Sequence, residues 1–356
     1  MKIFIDIGHP AHVHYFRNFI KIMETKGHTF FVSARNRTII HYLLDKYNIP
    51  FWDRGKGGNN FVGKFIYMLQ ADIKILKKAK EFKPDIFLSF ASPYAAHVSK
   101  LTGKPHIALT DTDTAKLGIL SFAPFTKYII TPKSFKKSFG IKHTRFDGFM
   151  ELCYLRPQDF IPDNKIYKEL GLKENEPYII FRFVSWLANH DIGQFGFTKK
   201  SKIEFVKKIN NRIKVFISSE GPLPNELEPF RIRVSPEKMH SVLYYANLYI
   251  GEGATMASEC AMLGTPAIYV NSLTAGTIEE QENYGLLFSY RNIYGIIEKA
   301  EELLNNPSLK SDILSKRNKM LSDKINVNDF LIWLIDQYPD SLEILKNNPD
   351  YSLKFK

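Results

Sequence analysis

Cysteine is nearly absent: Cys153 and Cys260 are the whole supply in 356 residues. Both sit in strand- or helix-like contexts and read as small buried hydrophobes. That excludes a disulfide-stapled scaffold and fits a reducing cytoplasm. Long apolar runs are also missing; none approaches the roughly 18 to 20 residues that cross a bilayer. Residues 2–6 are short, interrupted by a charge and strand-like, unlike a signal peptide. Acidic side chains are the minority, 37 against 49 basic ones, which leaves a net charge of +12. Such a balance suits polyanions, anionic membrane surfaces and phosphorylated substrates. The lysines are spread along the chain without an Arg-rich tail or a nucleic-acid module, so nucleic acid is not an expected partner.

What is present is a soluble α/β pattern. A hydrophobic share of 44% and a charged share of 24% are ordinary for a globular chain, and the length suits two domains. Residues 3–7 form an apolar run like a parallel strand buried on both faces. Val13, Phe16, Ile20 and Met23 follow at helical spacing, ended by Gly27. Strands at 29–34, 86–90 and 106–109 alternate with helices at 38–47, 62–82 and 94–101, and 127–131 is expected to close the sheet. After Pro157 and Pro162 the pattern restarts. Strands at 178–183, 215–218, 248–250, 267–270 and 286–289 alternate with helices near 198–209, 236–245, 254–263 and 291–304. Strand–helix alternation implies doubly wound parallel sheets. We expect Rossmann-like domains at 1–155 and 163–325 facing across a cleft, followed by helices at 326–356.

Ligands in such sheets bind beyond the carboxyl ends of strands, which singles out residues 249–270. Here a strand runs into Gly251 and Gly253, a helix opens on Ala254, Thr255 and Met256, and Gly264 and Pro266 lead to the next strand. A helix start with unpaired N–H groups and a positive dipole end favours phosphate. Glu259 lies one turn further on the same face as Thr255 and leans back towards the turn, where it could accept from ribose hydroxyls. A ligand-free strand–Gly–helix unit is the competing reading.

Other strand ends carry chemistry too. The first reads Gly8-His-Pro-Ala-His-Val-His14; His12, at the helix start, is placed to act as a general base near its ordinary pKa. Capping or surface histidines are the alternative. Asp111 and Asp113 follow the strand at 106–109. One is expected at the cleft as acid, base or hydroxyl acceptor, and the other as a helix cap; a metal clamp is a minor reading, and no metal is expected. Arg182 interrupts an apolar strand and needs an anion, either a diphosphate or a carboxylate such as Glu220 or Glu252. His190 and Asp191 read as cleft-lining. The helix at 62–82 combines Phe61, Phe65, Tyr67 and Met68 with Lys64, Lys74, Lys77, Lys78 and Lys80, which suits either an anionic membrane surface or a solvated back face.

The 249–270 stretch resembles the donor-nucleotide segment of GT-B glycosyltransferases. It is similar to the enzyme that adds N-acetylglucosamine to the lipid-linked peptidoglycan precursor, and to UDP-N-acetylglucosamine 2-epimerases. The whole chain also looks like a GT-B-like family of unknown function found beside surface-polysaccharide enzymes. The resemblance matches His12 to the transferase's turn histidine, although Pro10 and Ala11 replace glycines there. It puts the UDP diphosphate at Gly253–Met256 and Arg182, Glu259 on the ribose, and Glu280 and Gln281 on sugar hydroxyls. It implies a UDP-sugar donor, a sugar or lipid-linked glycan acceptor, no tightly bound cofactor, and terminal helices that return to the first domain. It further implies a cytoplasmic enzyme of surface polysaccharide or glycolipid synthesis. An epimerase using the same nucleotide site, or a non-catalytic binder of nucleotide, polyanion or membrane, are the alternatives.

Overall fold

The computed structural model describes residues 1–58, 61–184 and 197–356, with residues 61 and 62 described by backbone alone. Residues 1–154 together with 324–356 form one compact unit, and residues 155–323 form a second.

In the first unit seven parallel strands make one sheet among the described residues: β1 (Lys2–Ile7), β2 (Thr29–Ala34), β3 (Trp52–Asp53), β4 (Ile86–Phe90), β5 (His106–Leu109), β6 (Tyr128–Pro132) and β7 (His143–Phe146), in the order β3-β2-β1-β4-β5-β6-β7. The central strands are almost wholly buried because helices cover both faces. The apolar pattern places the edge of the sheet at β6, but β7 pairs beyond it, Ile129 opposite His143. β7 reads His-Thr-Arg-Phe and only Phe146 is buried. An edge strand has one neighbour and needs no continuous apolar run. β3 is two residues long, too short for any periodicity to register.

The terminal helices belong to this unit. Val327–Asp336 packs on Pro10–Thr25, Phe330 lies 5.8 Å from Phe146, and Asp336 takes both Lys26 and His28 at 2.9 Å.

The second unit holds β8 (Tyr178–Phe183), β9 (Lys214–Ser219), β10 (Leu248–Gly251), β11 (Ala267–Val270) and β12 (Leu287–Tyr290) in the order β12-β11-β10-β8-β9, again parallel. Its core joins Ile179, Phe181, Ile217, Leu248, Ile250, Ile268 and Val270 to the helices Lys199–Asn210 and Ile296–Leu304.

Each sheet reverses its winding at one place. In the first unit the chain leaves β1 for β2 and β3 on one side and for β4 on the other. In the second, β8 leads to β9 on one side while β10 lies on the other. Crevices beyond the carboxyl ends of strands open at such reversals.

Candidate functional site

At the reversal of the second unit, Arg182 of β8 and Gly251 of β10 stand opposite each other in register. A Cβ on Gly251 would come 2.6 Å from the Arg182 Cβ, so only hydrogen fits there. Gly253 also lies against Arg182, less tightly: a Cβ there would meet the Arg182 Cγ at 3.5 Å, an ordinary contact. Gly253 then serves as the N-cap of the helix Ala254–Leu263 and supplies no side-chain acceptor to it. Gly253, Ala254, Thr255 and Met256 are all partly accessible, whereas residues 257–263 are buried. The structure therefore brings Arg182 and the 253–256 turn together. Arg182 donates to Ser218 Oγ at 2.8 Å and pairs with Glu220 at 2.5 Å. Of the anions open to it, the exposed carboxylate of Glu220 is the one that it meets in the protein itself. Glu252 is engaged elsewhere: its two oxygens accept from the N–H groups of Val184 and Phe197 at 3.0 and 2.7 Å.

Glu259 lies one turn inside the helix as its spacing predicts, but it is 6% exposed and bonded to His240 Nε2 at 3.0 Å. His240 comes from the neighbouring helix Met239–Tyr245 and is itself buried. Burying a carboxylate demands such a partner, and no sequence spacing announces it.

Glu280 and Gln281 lie on the helix Gly276–Asn283, which packs on Ala254–Leu263. Glu280 is partly exposed. Gln281 is fully buried, and neither Oε1 nor Nε2 finds a partner among the described residues. An orphaned amide of this kind costs about 1–3 kcal/mol, so a water or a ligand hydroxyl would have much to gain there. His190 and Asp191 lie outside the described residues.

In the first unit the three histidines after β1 have three different roles. His9 caps the helix Pro10–Thr25 by accepting from Ala11 N at 3.2 Å. His14 points into the core, its ring 5.2 Å from Tyr154. His9 is exposed and His12 partly accessible, the latter lying 4.9 Å from the Phe90 ring with Nδ1 accepting from Gly8 N at 3.4 Å. Burial, reinforced by His9 and Arg54, pushes its pKa well below the ordinary histidine value that the sequence suggests. His12 is thus neutral. With Nδ1 accepting, its proton sits on Nε2.

The two aspartates after β5 also separate. Asp113 is buried and accepts from Lys136 N at 3.3 Å. It caps no helix, because Lys116–Phe122 begins at Ala115 without a side-chain cap. Asp111 stays partly accessible, and burial raises its pKa from 3.8 to about 6, with Asp113 adding to the effect and Thr112 opposing it. No hydrogen bond joins Asp111 to His12 among the described residues; their strands flank β4 on opposite sides.

Sequence reasoning missed a buried, multiply bonded carboxylate of the first unit. Asp6, fully buried near the carboxyl end of β1, accepts from Arg54 Nε at 2.8 Å, from Ser92 Oγ at 2.6 Å and from Ser33 Oγ. Losing one partner of such a buried pair typically costs about 3–5 kcal/mol. The charge inside an apolar strand was the available signal, but its partner lies 48 residues away.

Among the described residues no three His, Cys, Asp or Glu side chains converge as metal ligands, and no helix is long and apolar enough to cross a membrane.

Comparison with known proteins bears on this geometry. The family described as protein of unknown function DUF354 matches residues 1–332. An uncharacterized protein of Methanocaldococcus jannaschii is 27% identical over 278 residues, covering 75% of this chain and 81% of that one. Among solved structures, the UDP-GlcNAc 2-epimerase of Neisseria meningitidis bound to UDP-GlcNAc superposes with TM-score 0.69 at 10% identity, over 88% of this chain and 94% of that one. A Streptomyces sp. SF2575 glycosyltransferase complexed with thymidine diphosphate gives TM-score 0.60 at 12% identity, over 95% and 99%. At such identities the likeness is one of fold: two Rossmann-like domains of GT-B type.

Proposed function

We propose, for a chain that belongs to the DUF354 family of proteins of unknown function, a nucleotide-sugar-dependent glycosyltransferase whose second unit holds the donor. One observation carries the reading. Arg182 and the uncapped helix start at Gly253–Met256 meet where the second sheet reverses its winding. Fixed N–H donors and a guanidinium there counter the charge on a departing diphosphate. Glu259, held by His240, takes the ribose, and Glu280 and Gln281 take sugar hydroxyls. The base is uracil in this reading, and UDP is the leaving group.

In the transfer step the acceptor oxygen bonds to the anomeric carbon as the bond from that carbon to the diphosphate oxygen breaks. The acceptor's proton goes to a base in the first unit. Asp111, with a pKa of about 6, suits that task at neutral pH. Neutral His12 orients the acceptor hydroxyl. No resident cofactor enters the scheme. The acceptor is a sugar or lipid-linked glycan of surface polysaccharide or glycolipid synthesis, made on the cytoplasmic side.

Peripheral membrane contact fits the helix Phe61–Phe82. Tyr67, Ala71, Ile75 and Ala79 face inward, while Phe65, Ile66, Leu69 and Ile73 are about half exposed or more, beside exposed Lys74, Lys77 and Lys80. An apolar face fringed by lysines complements an anionic bilayer.

A second reading, a 2-epimerase, is favoured by the higher TM-score of the epimerase structure. A thermal-shift series with nucleotides and nucleotide sugars tests the shared premise, since a bound ligand stabilises the fold by mass action. UDP-GlcNAc incubated in heavy water without acceptor separates the two: deuterium at C2 supports the epimerase and rules out the transferase. No stabilisation by any nucleotide sinks both.

A further inference from the structure

The first unit carries a concentration of positive charge that the scheme above leaves unused. Arg54 is 2% exposed. Its Nε serves Asp6, its Nη1 donates to Tyr67 Oη at 2.6 Å, and its plane lies 4.2 Å from the Tyr94 ring centroid. Its Nη2 has no hydrogen-bond partner among the described residues and lies 3.6 Å from where a Cβ on Gly8 would stand. A buried guanidinium thus keeps one edge for the turn after β1.

Arg35 stands beside it at the end of β2. The β2 and β3 ends are joined by Arg54 N donating to Ala34 O at 2.9 Å, and the β1 and β2 ends by Arg35 N donating to Ile7 O at 2.9 Å. The Arg35 guanidinium packs on Gly57, its Nη2 2.6 Å from a Cβ position there, so a side chain at that point would displace the guanidinium. Arg35 is half-buried and makes no ion pair among the described residues. Burial, with the like charges of Arg37 and Arg54, pushes its pKa down. Among the described residues Asp6 is the carboxylate bonded to this pair of guanidiniums, Asp53 being taken up by Asn36 and Gly55, so positive charge is in excess in a partly dry place. That arrangement is costly without a counter-ion. The chain of the β1 turn cannot itself cradle an anion in the usual way, because His9 already occupies Ala11 N and Pro10 has no N–H. The charge comes from the neighbouring strands instead.

The geometry points to a phosphate-binding subsite in the first unit, formed by Arg35 and the free edge of Arg54 in front of Gly8. Tyr67 and Tyr94 wall it, and Ala91, at the end of β4 beside β1, has φ +49, an uncommon backbone state for alanine. Combined with the glycosyltransferase reading, on which this part rests, the subsite makes the acceptor a phosphate-bearing one. Arg guanidiniums grip tetrahedral phosphate oxygens two at a time.

Two measurements test the site. Crystals soaked in tungstate should show an anomalous peak beside Gly8, within reach of Arg35 and Arg54. Titration with inorganic phosphate at low ionic strength should give at least tenfold weaker binding in Arg35→Gln and in Gly8→Ala. The second variant places a methyl group in front of Nη2 without touching either arginine, and its glycine has no positive φ to protect. Stabilisation by UDP should be unchanged in both, so the outcome is separable from that of the donor site. A tungstate peak confined to the second unit, or phosphate binding in both variants equal to the unsubstituted protein, overturns the proposal. So does acetate binding as tightly as phosphate.

Discussion

Gly251 and Arg182 face each other across adjacent parallel strands so closely that a methyl group on the glycine would overlap the arginine's first side-chain carbon at 2.6 Å. Arg182 is therefore aimed by backbone packing rather than by its own hydrogen bonds alone. Gly251→Ala should push Arg182 off the 253–256 turn. We expect a destabilisation of about 1–3 kcal/mol, the usual cost of overpacking, and a loss of UDP-induced stabilisation larger than in Arg182→Lys. Urea unfolding and thermal shift measure the two effects separately. An Ala variant with normal UDP binding would remove Arg182 from the donor site.

The His240–Glu259 pair predicts an asymmetry. His240→Ala takes one hydrogen-bond partner from a buried carboxylate, and the expected cost is about 1–3 kcal/mol. Glu259→Gln keeps a hydrogen-bond acceptor and should cost less stability. It should nonetheless weaken UDP binding more than His240→Ala does, because the ribose contact is assigned to Glu259. Calorimetric titration with UDP checks the order, and a reversed order would make Glu259 a structural residue.

Asp111 should leave a signature in pH. Its native pKa, about 6, lies above the unfolded value near 3.8. Its contribution to stability is thus fully present below the unfolded pKa and is lost as pH rises through 6. Asp111→Asn should therefore stabilise the protein at pH 7.5 by on the order of 2 kcal/mol and have almost no effect near pH ~4. Activity of the unsubstituted protein should rise with an apparent pKa near 6, and that limb should vanish in the Asn variant. A pH–rate profile and unfolding curves at two pH values decide it.

Gln281 offers a cleaner separation of ligand from scaffold. Its two amide atoms are buried and find no partner among the described residues. Gln281→Leu removes that penalty at nearly constant volume and is expected to be neutral or stabilising by about 1 kcal/mol. The same variant should raise KM for the donor. If it instead destabilises the free protein, an ordered water is the amide's partner, and Gln281 has no need of a sugar.

The lysine-fringed helix predicts salt-sensitive binding to vesicles containing phosphatidylglycerol. Phe65→Ser with Leu69→Ser should abolish most of it while Tm stays within a degree or two, since both side chains are about half exposed. Equal sedimentation of the double variant would make this helix a plain solvated face.

How far these features could be read from sequence depended on how local their physics is. Strands such as Ile86–Phe90 and Ala267–Val270 are buried on both faces, so an apolar run suffices to reveal them. β3 and β7 are held by one neighbour each, and nothing in two residues or in His-Thr-Arg-Phe records that pairing. Gly251 was legible because close backbone approach leaves glycine as its trace. The engagement of Glu259 by His240 was not, since it crosses between helices. Asp6 shows the same limit more sharply. A carboxylate within an apolar strand is visible, but its guanidinium arrives from another strand. The histidines after β1 share one segment and still end in a cap, a core and a crevice, because helical rotation points each a different way.

The second unit is one uninterrupted stretch, 155–323, while the first is assembled from 1–154 and 324–356. On a ribosome, then, residues 155–323 can complete their own core while Phe146 and the helix Pro10–Thr25 still await Phe330 and its neighbours. The earlier-made half of the polypeptide is the later one to be sealed, and a shortened transcript would spare the second unit while leaving the first with a bare apolar flank.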